Sequence, residues 1–433
     1  MATIRPFSGI HYARRPDLPL SDLIAPPYDV LDDAGKAALQ AKHPNNIVAI
    51  DLPHMPPKSV GPDASYAKAD VTFRSWMDAG ILVQDGRPAM YPYSQSYAHA
   101  GRTFHRRGFI ALVKLSPFGA GHVVPHEKTY KGPIEDRLKL MRSTGMQLSP
   151  VFGLFSDPSN KVTSLLYKNV AMPEATATMD GVKNDLWSVI DAEVEQQVID
   201  AMGDKAIYIA DGHHRYTTAL HYLHEMEQQH GGPLPVAHPA NYCMFVLISM
   251  QDDGLQILPT HRMLGGIKNF DIDKLRAAAG NSLEITESPV AETDLGDLAL
   301  TIAADEAPTF ALFDGKSRRT YILRLKVHDV LANIQPDQSE AWRKLDVAIL
   351  QHYLIEKLIQ PNFAEQEVTR GYTADASSIA KQVDGTTYQV ALLLRPTALR
   401  ALKELGDQGE VMPHKSTYFF PKLATGMMIN PLR

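Results

Sequence analysis

The segment "IYIADGHHRYTTALHYL" at residues 207–223 constrains the fold and the site of this chain more than any other. A short apolar run precedes an Asp-Gly pair, and apolar residues then recur at helical spacing. The pattern predicts a buried strand over residues 206–210, a tight turn at Asp211 and Gly212, and an amphipathic helix over about 214–229. The chain is therefore expected to contain a strand-to-helix corner.

The residues at this corner are suited to holding a negatively charged group. The first N–H groups of a helix lack partners and carry partial positive charge, so an anion can bind there. His213, His214 and Arg215 add side-chain donors, and Gly212 allows close approach to the backbone. Asp211 is a candidate ligand for Mg²⁺ or a residue that orients a histidine. A capped helix start with solvated basic side chains fits the same spacing.

The segment "PHEKTYKG" at residues 125–132 is the second candidate for chemistry. A loop this dense in donors and acceptors suits catalysis, and Glu127 is the candidate general base because its carboxylate can receive a proton. His126 is a candidate for binding phosphate or stabilising charge, and Lys128 for neutralising phosphate oxygens. Thr129 is a candidate substrate contact. The alternative interpretation is a solvated charged loop.

Two further segments carry candidate contacts with substrate or phosphate. "APPYDV" must be extended or turn-like because its prolines fix φ, and Tyr28 and Asp29 are expected to face substrate unless the turn is only structural. His261 and Arg262 end an apolar run and are candidates for substrate and anion contacts. A purely structural role for His261 and Arg262, without contact to a ligand, is equally compatible with the sequence.

The segment "MPHKSTYFFPKLATG" at residues 412–426 combines polar and aromatic residues. Lys415 is a candidate phosphate contact, and Lys422 lies in the same stretch. Its polar residues would close over nucleotide or substrate, whereas its aromatic residues suit a core strand. We expect a mixed role.

Composition excludes several classes of protein. The chain has 433 residues, 44% of them hydrophobic and 21% charged, as in a soluble globular protein. A net charge of −6 argues against general binding of nucleic acid. A single cysteine, Cys243, excludes an intrachain disulfide and a cysteine-based zinc site. No signal-like or membrane-spanning segment is evident, so a cytoplasmic protein without a membrane partner is expected.

The alternation of helical and strand patterns predicts an α/β (α+β) protein with a boundary near Gly265. Residues 1–264 would form an N-terminal α/β region that contains both the HEKT and the DGHHR motifs. Residues 265–433 would form a C-terminal α/β region whose end returns to the active site. Helices are predicted over residues 64–79, 134–145 and 345–359. No GxxxxGK[ST], GxGxxG or HExxH motif is found, which disfavours a P-loop kinase and a Rossmann dehydrogenase.

The DGHHR motif resembles the phosphate-binding motif of the ParB/sulfiredoxin-like superfamily, in the form found in free serine kinases. The wider chain resembles the DUF1015 family. The matching segments are "APPYDV", "HPNNIVAIDLP", "PHEKTYKGPIEDRLKLMRSTGMQLSPVF", "IADGHHRYTTAL", "LQILPTHR" and "MPHKSTYFFPKL". One departure is Ala49, because the family often has an arginine soon after the Asn-Ile-Val stretch.

This resemblance implies a ParB/sulfiredoxin-like nucleotide-binding core and a kinase that uses ATP or ADP with Mg²⁺. Its acceptor would be free L-serine, and its product O-phosphoserine. Two other functions remain open: a metal-dependent hydrolase, with a ligand set drawn from His126, Glu127, Asp211, His213 and His214, and a nucleotide-binding switch without phosphoryl transfer. The expected partners are nucleotide and a small-molecule substrate, and a homodimer is one open oligomeric state.

Overall fold

The computed structural model describes residues 3–168, 170–305 and 307–433. It divides into two compact units. Residues up to Gln256 form the first unit together with Pro421–Arg433, and Ile257–Phe420 form the second. Both units combine helices with sheets, which confirms the predicted mixed α/β class.

The strands are short and are numbered in chain order. They are β1 (Ile4–Arg5), β2 (Ile10–Tyr12), β3 (Leu82–Gln84), β4 (Tyr91–His99), β5 (Arg102–Lys114), β6 (Val123–Val124), β7 (Met146–Gln147), β8 (Val151–Phe155), β9 (Ala175–Met179), β10 (Val182–Leu186), β11 (Ile207–Asp211), β12 (Tyr242–Ser249), β13 (Gln256–Leu258), β14 (His261–Gly265), β15 (Leu283–Ser288), β16 (Thr309–Asp314), β17 (Arg319–Leu325), β18 (Thr369–Thr373), β19 (Val390–Leu393), β20 (Tyr418–Phe420) and β21 (Asn430–Pro431).

The α-helices are numbered in the same way. They are α1 (Leu20–Leu23), α2 (Asp33–Lys42), α3 (Val48–Asp51), α4 (Asp63–Asp78), α5 (Lys131–Thr144), α6 (Lys161–Tyr167), α7 (Ala192–Met202), α8 (His213–His230), α9 (Ile272–Ala279), α10 (Leu295–Ala303), α11 (Glu340–Arg343), α12 (Asp346–Ala348), α13 (Gln360–Phe363), α14 (Ile379–Gln382) and α15 (Leu399–Asp407). Ile349–Ile359 is a π-helix, and single 3₁₀ turns lie at Tyr28–Val30, Pro239–Asn241, Gly280–Ser282, Glu292–Asp294 and Ala376–Ser378.

The first unit is built on a mixed sheet with the order β6-β11-β8-β12-β5-β4-β10-β9, in which β1 also pairs with β5. The pairs β11–β6 and β12–β8 are parallel, and the other pairs in this sheet are antiparallel. β4 and β5 form a hairpin whose turn residues, Ala100 and Gly101, both have positive φ. This backbone geometry matches the twist of the flanking strands.

The strand that leads into the corner is part of the main core. Ile207 and Ile209 of β11 pack in one hydrophobic cluster with Tyr216 and Ala219 of α8. β11 pairs with β6 through Ile207 and Tyr208 and with β8 as far as Asp211, so its carboxyl end is held by pairing with β8. The sheet therefore holds the start of α8 rigidly.

The second unit contains an antiparallel sheet with the order β15-β17-β16-β19-β14-β18. Met263, Phe313 and Leu393 of this sheet pack against Leu298 and Ile302 of α10. The segment predicted as a helix over residues 345–359 is helical from Asp346 onward, with Leu345 as its extended N-cap, and most of it is the π-helix. Across the described part of the chain, no helix combines the length and the apolar character needed to cross a membrane.

Candidate functional site

The corner between β11 and α8 has the backbone geometry of an anion-binding turn. β11 ends at Asp211, Gly212 has φ 93° and ψ 28°, and α8 begins at His213. The first hydrogen bond of the helix runs from the Tyr216 N–H to the Gly212 carbonyl at 3.0 Å. The amides of residues 213–215 consequently lack carbonyl partners within the helix, and a negatively charged group can accept hydrogen bonds from them.

Asp211 is surrounded by donors. Its Oδ1 accepts a hydrogen bond from the Gly212 N–H at 2.8 Å, and its Oδ2 lies 3.2 Å from Lys422 Nζ and 3.8 Å from Arg215 Nη2. Burial alone would raise the pKa of the Asp211 carboxyl, but Lys422 and Arg215 outweigh burial and hold that pKa below its ordinary value. Asp211 is therefore ionised, and two cations against one carboxylate leave a positive excess at the corner.

Arg215 lies against the backbone of the turn. A Cβ atom at Gly212 would come within 2.9 Å of Arg215 Nε, so glycine is needed here for space as well as for its positive φ. The guanidinium also donates to the Pro150 carbonyl, and the side chain is only 11% exposed. These contacts fix its direction beside the helix start, where a phosphate would bind.

His213 and His214 hold the loop that carries Glu127. The His126 N–H donates to His213 Nε2 at 3.1 Å, and the Tyr130 N–H donates to His214 Nε2 at 3.0 Å. The rings of His126 and His213 meet edge to face with their centroids 4.5 Å apart. Both histidines of the motif thus accept from backbone amides of the loop, in addition to lying at the helix start.

The buried histidines are neutral. Burial, reinforced by the neighbouring His126, lowers the pKa of His213 well below its ordinary value. Burial also lowers the pKa of His126, whose Nδ1–H donates to the Ile209 carbonyl at 2.6 Å. Because His213 Nε2 is an acceptor, its proton is assigned to Nδ1.

The rest of the loop is more open to solvent. Glu127 and Thr129 are half-buried, and Lys128 is exposed. Over the described ranges 3–168, 170–305 and 307–433, the Glu127 carboxylate has neither a hydrogen-bond nor an ion-pair partner. A carboxylate in this condition is available to accept a proton.

Lys422 reaches the corner because buried side chains hold the backbone around it. Arg106 Nη2 donates to the Pro421 carbonyl at 2.6 Å, and Gln95 Nε2 donates to the Lys422 carbonyl at 3.1 Å. Arg106 also donates to Gln95 Oε1. The sequence around Lys422 predicts no specific role for this residue, since nothing local indicates a partner 211 residues earlier.

A network of buried charges, which sequence analysis did not predict as a site, lies in the same unit. Asp136 accepts from Arg137 Nε at 2.8 Å and from Tyr66 Oη at 2.7 Å, and His54 Nε2 lies 2.7 Å from its Oδ1. Arg137 Nη1 also lies 3.5 Å from Asp51 Oδ1. The guanidinium of Arg137 thus joins two buried carboxylates.

The predicted substrate residues of the "APPYDV" turn lie in this neighbourhood. Tyr28 is buried, and its ring centre is 4.0 Å from Arg137 Cζ. Asp29 is half-buried, with Lys58 Nζ 3.8 Å from its Oδ2. Tyr28 therefore packs on a cation, while Asp29 remains accessible.

The other predicted contacts belong to the second unit. His261 and Arg262 lie within β14 and are each 1% exposed. Arg262 donates to the Thr260 carbonyl and, at 2.9 Å, to the Lys415 carbonyl. Burial lowers the pKa of His261 to about 4, and its Nδ1 accepts from the Leu394 N–H at 3.4 Å. Their part in binding substrate or phosphate stays a prediction.

No three His, Cys, Asp or Glu side chains converge as metal ligands among the residues that the structure describes. Among these described residues the His/carboxylate set expected for a hydrolase does not converge, and ring nitrogens of His126, His213 and His214 make the backbone contacts given above. Asp211 remains a single carboxylate, and Mg²⁺ can be bound by one carboxylate when phosphate oxygens supply further ligands.

The structure is that of a mixed α/β protein with a strand-to-helix turn at which the first helix amides lack carbonyl partners within the helix. The chain belongs to the family described as "Protein of unknown function (DUF1015)", whose profile matches residues 4–348. A comparison with curated proteins gives no match.

Several solved structures resemble the chain at low similarity. A free serine kinase in complex with AMP has 14% identity and a TM-score of 0.32, with 69% of this chain and 83% of that chain covered. A conserved hypothetical protein from Pyrococcus furiosus has 15% identity and a TM-score of 0.31, with 70% of this chain and 89% of that chain covered. A C-terminally truncated SbnI from Staphylococcus aureus has 10% identity and a TM-score of 0.36, with 75% of this chain and 87% of that chain covered. These scores are too low to transfer a site from any of these structures.

Proposed function

We propose that this protein is a small-molecule kinase that transfers the terminal phosphoryl group of ATP or ADP to the hydroxyl of free L-serine. The observation that carries the proposal is the corner at Gly212. It combines open helix amides, the guanidinium of Arg215 and the ammonium of Lys422 with the loop of Glu127, which is held there by His213. The resemblance of the DGHHR motif to that of free serine kinases supports the choice of reaction.

The chemical step needs only positioning, charge stabilisation and one base. The serine Oγ attacks the terminal phosphorus, the bond from phosphorus to the leaving nucleotide oxygen breaks, and the hydroxyl proton passes to the Glu127 carboxylate. O-phosphoserine and the shortened nucleotide result. The helix amides and Arg215 would hold phosphate oxygens, and most of the acceleration would come from their fixed orientation.

The remaining residues have supporting roles in this proposal. Lys422 and Lys128 would neutralise charge on the phosphates, and the Nδ1–H of His213 would act as a further donor. Asp211 would hold Mg²⁺, which supplies charge neutralisation when bound together with the nucleotide. His126 would set the loop conformation through its bonds to Ile209 and His213.

The test is a ³¹P NMR screen of the purified chain with ATP or ADP, Mg²⁺ and a panel of hydroxyl compounds. The panel contains L-serine, D-serine, L-threonine, L-homoserine, glycerate and 3-hydroxypropanoate. We expect a phosphomonoester signal with L-serine. If none of the compounds in the panel gives a phosphoester although nucleotide binding is measurable, the kinase proposal is refuted and the nucleotide-binding switch is favoured.

Glu127→Gln tests the base. The amide keeps the shape of the side chain but cannot take the proton, so turnover should fall at least about 100-fold while nucleotide affinity changes little. Glu135→Gln is the matched control, because Glu135 is an exposed glutamate on the following helix. Near-normal turnover in Glu127→Gln would show that Glu127 is not the base.

A further inference from the structure

A small cavity of about 30 Å³, lined by apolar as well as polar side chains, lies within the first unit. Its polar walls are formed by Asp51, Arg137, Gln147, Ser149, Arg215 and Thr218. This volume accommodates one or two groups of the size of a water molecule. A cavity with charged walls of both signs is suited to a small polar or charged group.

Asp51 is the member of the buried charge network whose carboxylate has unused hydrogen-bond acceptor positions. Its side chain is 5% exposed, and its Oδ1 has one long contact, 3.5 Å from Arg137 Nη1. Within the described residues, its Oδ2 accepts no hydrogen bond. Burial raises the pKa of the Asp51 carboxyl, and Arg137 only partly offsets this. A buried carboxylate with unused acceptor positions is costly unless a ligand fills them.

Asp136 provides the contrast within the same network. It receives the Nε of Arg137, the hydroxyl of Tyr66 and the ring of His54, each at 2.7–2.8 Å. Arg137 and these hydrogen bonds outweigh burial and lower the pKa of Asp136. Arg137 is thus shared between Asp136 and Asp51. Arg215, the other cation that acts on Asp51, is shared with Asp211.

Arg215 connects this cavity with the proposed phosphate site. It lines the cavity beside Asp51, and its Nη2 lies 3.8 Å from Asp211 Oδ2 at the corner. One side chain therefore borders both the cavity and the corner. A ligand that contacts this side chain at both places needs two polar groups close together, and in L-serine the ammonium nitrogen and the hydroxyl are separated by only two carbon atoms.

We infer that Asp51 binds the ammonium group of an α-amino-acid acceptor in this cavity. The inference rests on the proposed function and narrows its substrate class to amino acids, as opposed to hydroxy acids and sugars. An ammonium group is close in size to water, and its three N–H donors can satisfy the free oxygen of Asp51. Asp51 then acts as a specificity residue, apart from the phosphoryl chemistry at Glu127.

The experiment compares two ligands that differ only in the amino group. The affinities for L-serine and 3-hydroxypropanoate are measured by calorimetry, with and without a non-hydrolysable nucleotide. The wild-type chain should bind L-serine at least about 30-fold more tightly, since truncating one partner of a buried charge pair has an effect of this size. In Asp51→Asn, the ratio of the affinity for L-serine to that for 3-hydroxypropanoate should fall to near one.

Asp63→Asn is the matched control. Asp63 is an exposed carboxylate of the same unit that pairs with Lys139, and this variant should keep the wild-type ratio. Thermal unfolding confirms that each variant is folded. If Asp51→Asn does not fold, equal affinity of the wild-type chain for the two ligands still overturns the inference.

The outcomes separate this inference from the proposed kinase. Equal affinity of the wild type for the two ligands, no saturable binding of L-serine, or an unchanged ratio in Asp51→Asn overturns the ammonium site. Phosphoryl transfer to 3-hydroxypropanoate as efficient as to L-serine overturns it while leaving the kinase intact. Amino-dependent binding of L-serine without any phosphoester supports Asp51 and contradicts the kinase.

Discussion

Two His–Arg pairs in this chain have similar sequences and different surroundings. His214 and Arg215 lie in the first turn of α8, after a left-handed glycine. His261 and Arg262 lie inside β14, which is paired with β18 on one side and β19 on the other. The first pair borders open helix amides, whereas the second is buried in a sheet.

The difference shows that position within an element decides what such a pair can do. At a helix start, the backbone has unused donors, and cationic side chains add to them. Within a paired strand, the backbone is already satisfied by its neighbours. The guanidinium of Arg262 instead donates to carbonyls of Thr260 and Lys415 in its own unit. We therefore expect phosphate binding from the first pair and stabilisation from the second.

The largest predicted effect concerns His261 and acid stability. The unfolded chain takes up a proton at this histidine as the pH falls through about 6.5, but the folded chain does so only near pH 4. Stability of the second unit should thus fall between these pH values, by about 3 kcal/mol from this group, with no contribution above that window. His261→Gln should remove this part of the loss.

Hydrogen exchange of β14 and β19 peptides in urea, at several pH values between 7 and 4, measures this effect. His328→Gln, at an exposed position of the same unit, is the control and should behave like the wild type. If His261→Gln loses as much stability as the wild type when the pH is lowered from 7 to 4, His261 is not neutral and buried in the folded chain.

The next prediction compares the two arginines directly. Arg215→Met keeps the bulk of the side chain but removes charge-assisted hydrogen bonds to phosphate, and ATP affinity should fall about 10- to 100-fold. Arg262→Met should lower the melting temperature, because the carbonyls of Thr260 and Lys415 lose a buried donor, and should change ATP affinity less than about twofold. Calorimetry and thermal unfolding provide the two readouts. An equal loss of ATP affinity in both variants would make Arg262 a phosphate ligand and break the comparison.

The sequence predicted the corner well because its signals are local. The apolar run, the Asp-Gly pair and the helical spacing lie within one short segment, and β11 and α8 match the predicted strand and helix within a residue or two. Glycine at the turn also has a local signature. The direction of the His213 and His214 rings was not predictable, since it depends on a loop about eighty residues earlier.

The contacts that complete the site depend on distant parts of the chain. Lys422 meets Asp211 only because Arg106 and Gln95 hold the C-terminal segment against the first unit. Asp51 of α3 meets Arg137 of α5, which lies 86 residues further along the chain. Hydrophobic periodicity fixes such helices individually, but it does not specify which of their polar residues meet.

The smallest predicted effect comes from alanine substitutions of the glycines at the two ends of α8. Comparing them distinguishes the effect of backbone strain from the effect of disturbing the proposed phosphate site. Gly212 and Gly231 have φ of 93° and 80°, so alanine at either position adds a similar strain of about 1–2 kcal/mol. A Cβ at Gly231 would meet nothing within 4 Å, whereas one at Gly212 would displace the Arg215 guanidinium. Both variants should therefore lose similar thermal stability, but only Gly212→Ala should lose ATP affinity, by about tenfold, because one charge-assisted contact is weakened. Equal ATP affinity in the two variants would mean that Arg215 does not need its present position to bind phosphate.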